Sequence, residues 1–405
     1  MSRERVDTLH AVTSSLSLVL LRGQLRYLQA AGFHPAAMSA PGRFVEELEA
    51  QESVSVFTVP MERNVSPVKD LGALLRIWRA LRRLRPSICN AGTPKAGLLV
   101  TLAACLARVP IRIYTLRGLR LETAHGLKRG VLYLTERIAC TCAHRVICVG
   151  PSLRDRAVRL KLVRAKKAIV LGSGSSNGID VSRFIPTPAR SDRAAEIRRE
   201  LKVDAGPVIG YIGRFTRDKG VSELVAAFDV VRQQFAYVSL LLIGSYEQGD
   251  AIDQQVCARI DTGCGIVAIP FQPDIAPYYL AMDLFVLPTY REGFPNTVLE
   301  AQAAKRPVVT TTATGAVDSI VDGETGILVP VGDARALADA ISKLLSNSAL
   351  ARRMGQAGHE RVERKFRQEI FWAELVRLYR ALLEERGLGI PSAAANEEKL
   401  CMQKQ

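Results

Sequence analysis

Two carboxylates, Glu292 and Glu300, stand eight positions apart in REGFPNTVLE (residues 291–300), directly after the apolar run LFVLP. The run reads as a strand, Gly293 lets the chain turn, and Asn296 to Glu300 read as the first turns of a helix. Such a helix start leaves backbone amides near Phe294, Asn296 and Thr297 without partners, and amides so placed attract phosphate oxygens. Glu292, in the turn, is placed to accept hydrogen bonds from sugar hydroxyls. Glu300, two helical turns on, is placed to accept them from a ribose diol. A second stretch, GYIGRFTRDKG (210–220), supplies the opposite charge. It ends a strand at Gly213 and presents Arg214 and Lys219, a planar fork and a mobile point charge that suit a diphosphate. Taken alone, either stretch also fits a solvated surface: a charged loop in one case, a cap-side charge and an exposed helical residue in the other. Together they fit a ligand that carries both a diphosphate and many hydroxyls.

These residues need strands to end beside one another, and the rest of the chain supplies them. From Val6 to about Gly178, strand-like segments such as VSVFTVP, SICNAG, IRIYTLR and RVICVG alternate with helical stretches, which is the pattern of parallel α/β units. A proline-containing, charged passage, FIPTPARSDRAAEIRRELKVDAG, reads as an interdomain joint, and the alternation restarts at PVIGYIGR. The expected fold class is α/β, with two Rossmann-like, doubly wound domains facing one another across a cleft formed at the carboxyl ends of both sheets. Residues 1–188 form the first domain and 189–365 the second. An amphipathic helix over 366–388 packs back on the first domain, and 389–405 is expected to be a disordered tail.

The 405 residues are 48% hydrophobic, enough for two cores. No apolar run of about 18 residues occurs; the nearest, at 96–111, is broken by Arg108 and Pro110. The first residues carry no hydrophobic leader with a cleavage site, so a cytoplasmic location is expected. Eight scattered cysteines and five histidines form no ligand cluster, since Cys140 and Cys142 do not converge on a helix. The net charge of +15 is unevenly spread: residues 1–190 hold 30 Lys and Arg against 12 Asp and Glu, and the remainder holds 25 against 28. One half therefore faces something anionic. The stretch LLRIWRALRRLRP (74–86) either lies on a bilayer or turns a solvated arginine face outward while its other side packs on a sheet. An aromatic content of 6% argues against a single-stranded nucleic-acid path, and no nucleic-acid partner is expected.

The combination G-R-F-x3-K-G, then E-G-F-P-N-x3-E, then P-V-V-T-T-x3-G-x2-D-x-I-x-D-G-x2-G-x-L-V-P closely resembles retaining glycosyltransferases of family 4 with the GT-B fold. The resemblance implies α-type transfer of a hexose or N-acetylhexosamine from a nucleotide-diphosphate sugar, UDP being favoured. It makes Arg214 and Lys219 the diphosphate ligands, Glu292 the contact to the donor sugar and Glu300 the contact to the ribose. It brings Gly23 of LLRGQLRYL to the diphosphate and Gln24 beside it to the acceptor, and sets Gly244 at the base. NAGTPKAGLL, IRIYTLRGL and RVICVGPSL are most similar to enzymes of bacterial capsule, exopolysaccharide and O-antigen assembly. That likeness implies a polyprenyl-diphosphate-linked acceptor, met at the inner face of the cytoplasmic membrane by the basic first domain. Thr93, Lys95, Arg117, Arg120 and His125 are the candidates to meet that acceptor. Many relatives have histidine where TLRGL has Arg117, and a guanidinium cannot take a proton at neutral pH. The resemblance therefore favours a front-face reaction in which the leaving phosphate takes the acceptor's proton. Arg117 then orients or offsets charge beside Glu292, Arg214 and Lys219 as the catalytic group. No cofactor or divalent metal is required on this reading. Two alternatives keep the fold, a soluble sugar or small-molecule acceptor and an inactive nucleotide-sugar-binding protein.

Overall fold

The computed structural model describes residues 6–62 and 66–389. The expected tail lies outside the described residues except for Gly389. The chain divides into two compact units: one runs to Asn177 and takes the chain back from Gln368, and the other is Gly178–Arg367.

The first unit contains β1 (Thr8–Ala11), α1 (Gln24–Ala30), β2 (Pro35–Ser39), α2 (Phe44–Glu52), β3 (Val56–Thr58), α3 (Pro67–Leu84) and β4 (Ile88–Gly92). It continues with α4 (Pro94–Leu106), β5 (Ile111–Leu116), α5 (Gly126–Cys142), β6 (Arg145–Cys148), α6 (Pro151–Arg159) and β7 (Ala168–Ile169). All its strands pair in parallel in the order β3-β2-β1-β4-β5-β6-β7. The order reverses between β1 and β4, so the loops leaving those two strands diverge and open a crevice at their carboxyl ends.

The second unit contains α7 (Pro188–Glu200), β8 (Val208–Ile212), α8 (Val221–Gln234), β9 (Ser239–Ile243), α9 (Gln254–Asp261), β10 (Ile266–Ile269) and α10 (Ala276–Ala281). It continues with β11 (Leu284–Leu287), α11 (Asn296–Ala303), β12 (Val308–Thr311), β13 (Gly326–Val329), α12 (Ala334–Ser346) and α13 (Ser348–Lys365). Its parallel order is β10-β9-β8-β11-β12-β13, reversing between β8 and β11. Strands such as SLLLI and LFVL are apolar throughout because helices cover both faces of the sheet. The passage read as a joint contains α7, whose Thr187 Oγ1 accepts from Arg190 N and which packs on α10.

The last helix, α14 (Gln368–Glu385), belongs to the first unit. Phe371, Trp372, Leu375, Val376, Tyr379, Leu382 and Leu383 recur at helical spacing and are all buried. They join Leu25, Leu28 and Phe33 in the core on one face of the first sheet, as the sequence predicts. On the other face, Ile77 and Leu81 of α3 meet Leu99, Val100 and Ala103 of α4. In LLRIWRALRRLRP, Leu81 is thus core and Leu74 and Trp78 pack against that core. The packing of one side on the sheet, common to the second reading, is thus observed, while Leu75 of the same stretch stays 47% exposed.

Candidate functional site

The site in the second unit is built at the point where strand order reverses. β8 and β11 are neighbours, with Leu284 opposite Ile209. The segment leaving β8 carries Arg214 and Lys219, and the turn leaving β11 carries Glu292. A pocket of about 250 Å³ lies between them, lined by Arg214, Lys219, Glu292, Phe294, Asn296 and Thr297 among others. Six residues singled out in two separate stretches therefore share one wall.

Charges in this pocket are arranged in pairs. Lys219 Nζ meets Glu292 Oε1, and both side chains are largely shielded from solvent. Arg214 meets Glu247. Burial works against the Arg214 charge, but the Glu247 carboxylate, with Asp218 and Glu292 nearby, more than offsets it and raises the pKa. Asp218 is the anchor beneath. Its Oδ1 accepts from Thr216 Oγ1 at 2.6 Å and its Oδ2 from Arg291 Nη2 at 2.5 Å. Burial raises the Asp218 pKa, yet the Thr216 hydrogen bond and the cations Arg291, Lys219 and Arg214 together hold it below the ordinary value. The Asp218 backbone is fastened to the neighbouring turn, since its carbonyl accepts from Tyr290 N at 2.9 Å and Thr289 Oγ1 at 3.0 Å. The Lys219 segment and the Glu292 turn thus hold each other. Gly315 completes the turn: at φ +78° it lies where a Cβ would strike the carbonyls of Glu292 and Gly293.

Helix α11 begins at Asn296, as the spacing predicts, with Asn296 and Thr297 at its open amide end. Asn296 Oδ1 is buried and has no hydrogen-bond partner in the protein, an unmet acceptor on the pocket wall. Glu300 lies apart from this lining. It is half-buried and accepts from Tyr279 OH at 2.8 Å, and burial raises its pKa despite that hydrogen bond. Gly244 follows β9, and its backbone comes close to the Gly213 carbonyl.

In the first unit the crevice at β1 and β4 holds a buried polar network. Gln24 Nε2 lies 3.0 Å from His10 Nδ1, Thr115 Oγ1 donates to Asn90 Oδ1 at 2.8 Å, and Asn90 Nδ2 donates to Tyr379 OH at 2.8 Å. Gln24 is therefore a buried residue held by His10. Burial, then the Arg117 charge, pushes His10 down to about 3, so it is neutral at physiological pH. Arg117 Nη1 donates to the Ser176 carbonyl at 2.8 Å, while its Nε is buried without a partner in the protein. Burial lowers the Arg117 pKa to about 10, which leaves it charged near neutrality. Thr93 precedes α4 with φ +78°, a strained value for a β-branched residue, and its hydroxyl lies 2.8 Å from that of Thr13.

The remaining acceptor candidates are spread more widely. Lys95 Nζ is engaged with Asp70 Oδ1 at 2.7 Å. Arg120 is exposed, and exposed His125 immediately precedes α5, so HGLKRG opens a helix. Gly23, at φ +76°, is pressed against the Trp372 indole, and a Cβ there would overlap the ring. Sequence reasoning missed Glu247, Asp218 and Arg291. Arg291 directly precedes Glu292 and Asp218 precedes Lys219, which was the available signal. Nothing local marks Glu247. Among the described residues no group of three or more His, Cys, Asp or Glu is placed to hold a metal ion, and no helix is long and apolar enough to cross a membrane.

Residues 19–174 match the family model described as "Glycosyl transferase 4-like domain", and residues 206–347 match "Glycosyl transferases group 1". The chain is 40% identical to the capsular polysaccharide biosynthesis glycosyltransferase CapM of Staphylococcus aureus, over 93% of this chain and 97% of CapM. It is 25% identical to the N,N'-diacetylbacillosaminyl-diphospho-undecaprenol alpha-1,3-N-acetylgalactosaminyltransferase of Campylobacter jejuni, over 71% of this chain and 75% of that one. It is 30% identical to the alpha-maltose-1-phosphate synthase of Mycolicibacterium smegmatis, over 73% of this chain and 79% of that one. In fold it is similar to HepE of Anabaena, solved with UDP and glucose, with a TM-score of 0.76 at 18% identity over 92% of this chain and 99% of HepE.

Proposed function

The chain belongs to the group-1, family-4-like glycosyltransferases of the GT-B fold, and from that premise we propose a retaining enzyme that adds a sugar to a lipid-linked glycan in bacterial surface polysaccharide synthesis. As a glycosyltransferase it takes its sugar from a nucleotide-diphosphate donor. We assign that donor, a UDP-linked hexose or N-acetylhexosamine, to the pocket of the second unit. The observation that carries this reading is the convergence of Arg214, Lys219, Glu292 and the start of α11 on one wall.

In this proposal Arg214 grips the diphosphate as a fork, Lys219 adds a point charge, and the amides at Asn296 and Thr297 complete the cradle. Lys219 and Glu292 hold each other. A diphosphate takes over Lys219 and frees Glu292 to accept a hydroxyl of the donor sugar. The acceptor hydroxyl then attacks the anomeric carbon on the face the diphosphate leaves. The new C–O bond forms as the old one breaks, and the hydroxyl proton passes to the departing phosphate oxygen. Arg214, Lys219 and the helix amides stabilise the charge that develops there. No protein base is called for, in keeping with an Arg117 that stays protonated and a His10 that stays neutral. Gly23, Gln24, Thr93, Arg117, Arg120 and His125 remain the proposed contacts of the first unit, with Gly244 and Glu300 proposed for the nucleoside. Lys95 is proposed to act only after leaving Asp70.

The lipid-linked acceptor is supported by the Campylobacter relative, whose name specifies a diphospho-undecaprenol substrate, and by the cationic first half of the chain. With such an acceptor the protein works at the inner face of the membrane. The maltose-1-phosphate synthase relative favours a second reading, the same chemistry on a soluble acceptor. A panel of UDP- and GDP-sugars, offered with a polyprenyl-diphosphate-sugar and with free sugars, separates the two. Transfer from one UDP-sugar to the lipid-linked acceptor, maintained in EDTA and reduced about 10²-fold or more by Glu292→Ala, is the expected result. Transfer to free sugars alone selects the second reading, and donor binding without turnover selects an inactive binder.

A further inference from the structure

Helix α5, like the start of α3, leaves apolar residues outside the core. At its start Leu127, Val131 and Leu134 are 86%, 39% and 57% exposed. Spaced i, i+4 and i+7, they form one outward stripe. Lys128 and Arg129 beside them are exposed, and no acidic residue occurs from Thr123 until Glu136. Glu136 is itself buried against Tyr114 OH at 2.8 Å. Val68 and Leu71, at the start of α3, are 85% and 60% exposed. The starts of α3 and α4 are tied together by the Asp70–Lys95 pair, and α4 packs on α5. All three helices leave the carboxyl edge of the same parallel sheet, so the exposed apolar residues share one edge of the first unit.

We propose that this edge docks on an anionic lipid bilayer, with Leu127, Val131 and Leu134 entering the headgroup boundary and Lys128 and Arg129 meeting lipid phosphates. The proposal rests on the lipid-linked acceptor reading and gives it a surface. Charge complementarity selects the occupant: an acid-free, cationic helix start within a half-chain that holds 30 basic residues against 12 acidic ones suits a continuous anionic surface. Three apolar side chains and two cations give a reversible, salt-sensitive attachment.

The test uses the full chain and vesicles of phosphatidylglycerol mixed with phosphatidylcholine, with pure phosphatidylcholine as the reference. The intact protein should sediment with the anionic vesicles and be released by salt. Lys128→Ser with Arg129→Ser should weaken the partition about thirtyfold. Leu127→Ser with Val131→Ser should weaken it at least tenfold. Because these residues are exposed, the fold should survive, and a Leu127→Trp reporter should shift its emission to the blue when vesicles are added. Unchanged partition in both variants, or vesicle binding with no shift of the reporter, overturns the proposal. Absence of binding by the intact protein overturns it too, while transfer to a detergent-dispersed lipid-linked acceptor would leave the functional reading standing. Vesicle binding without such transfer sinks that reading and leaves the docking edge in place.

Discussion

Lys219 and Glu292 show how far single residues could be interpreted before the fold was known. Each was legible because a charged residue one turn beyond a strand end is locally recognisable. Their ion pair was not, because the two stretches are 73 positions apart. The pairing predicts an asymmetry. Lys219→Met removes the proposed diphosphate ligand and leaves Glu292 without its cation, so kcat/KM should fall about 10²–10³-fold, with nucleotide affinity falling as well. Glu292→Gln should lower kcat while nucleotide affinity is retained. Isothermal titration with UDP beside initial rates distinguishes them, and equal loss of UDP affinity in both would refute the assigned roles. Arg117 gives a pH prediction. With Arg117 charged below about 10 and His10 neutral above about 3, the first unit's crevice keeps one charge state across the neutral range. Transfer should show no histidine-like limb from about pH 6 to about pH 8. A limb in the unaltered enzyme would point to a base elsewhere.

At the scale of elements, α14 does more than close a core. Trp372 Nε1 donates to Asn177 Oδ1 at 2.8 Å, and Asn177 Nδ2 donates to the Arg22 carbonyl at 2.9 Å. The same indole lies against Gly23, whose amide donates to Glu52 Oε1 at 2.6 Å. One side chain thus supports the glycine turn and the last residue of the first unit's main segment. Trp372→Ala should cost about 3–5 kcal/mol of that unit's stability. Gly23→Ala should also destabilise it, through the positive φ and the overlap with the indole. In the double variant the two losses should add to less than their sum, because the ring that opposes the new methyl is gone. Denaturant titration measures all three, and strict additivity would show that ring and turn are not coupled. The sequence pattern revealed α14 and its apolar face. It did not reveal Trp372 against Gly23, since helical spacing says which side is buried but not what it meets.

For the molecule as a whole, two units with separate cores and one proposed nucleotide pocket imply uneven ligand stabilisation. UDP should raise the unfolding transition of the second unit by about 2.7 kcal/mol at a hundred times its Kd, and leave the first unit's transition nearly unmoved. A cysteine label at exposed Cys105 in the first unit and at exposed Cys264 in the second supplies a probe in each. Equal shifts at both labels would place the nucleotide differently or show the units unfolding together. The division falls at Asn177–Gly178 rather than at the expected 188–189, so the proline-containing passage read as a joint lies inside the second unit. Its composition is polar, yet Ala194 and Ile197 of α7 are buried.

The sequence by itself determined the alternation of strands and helices, the restart that makes a second sheet, the basic first half, and six residues that line the pocket of the second unit. All of these are written in nearest-neighbour order, in periodicity or in residue type at a strand end. Tertiary structure decided the rest: which strands lie side by side at each reversal of order, that Glu247 and Asp218 steady Arg214, that Glu300 turns to Tyr279, and that Lys95 is held by Asp70. It also decided that Ala73, Ile77 and Leu81 of α3 enter the core while Leu127, Val131 and Leu134 of α5 are left outside. Such choices depend on contacts between residues distant in the chain, where burial and charge compensation act across space and leave no mark in local spacing.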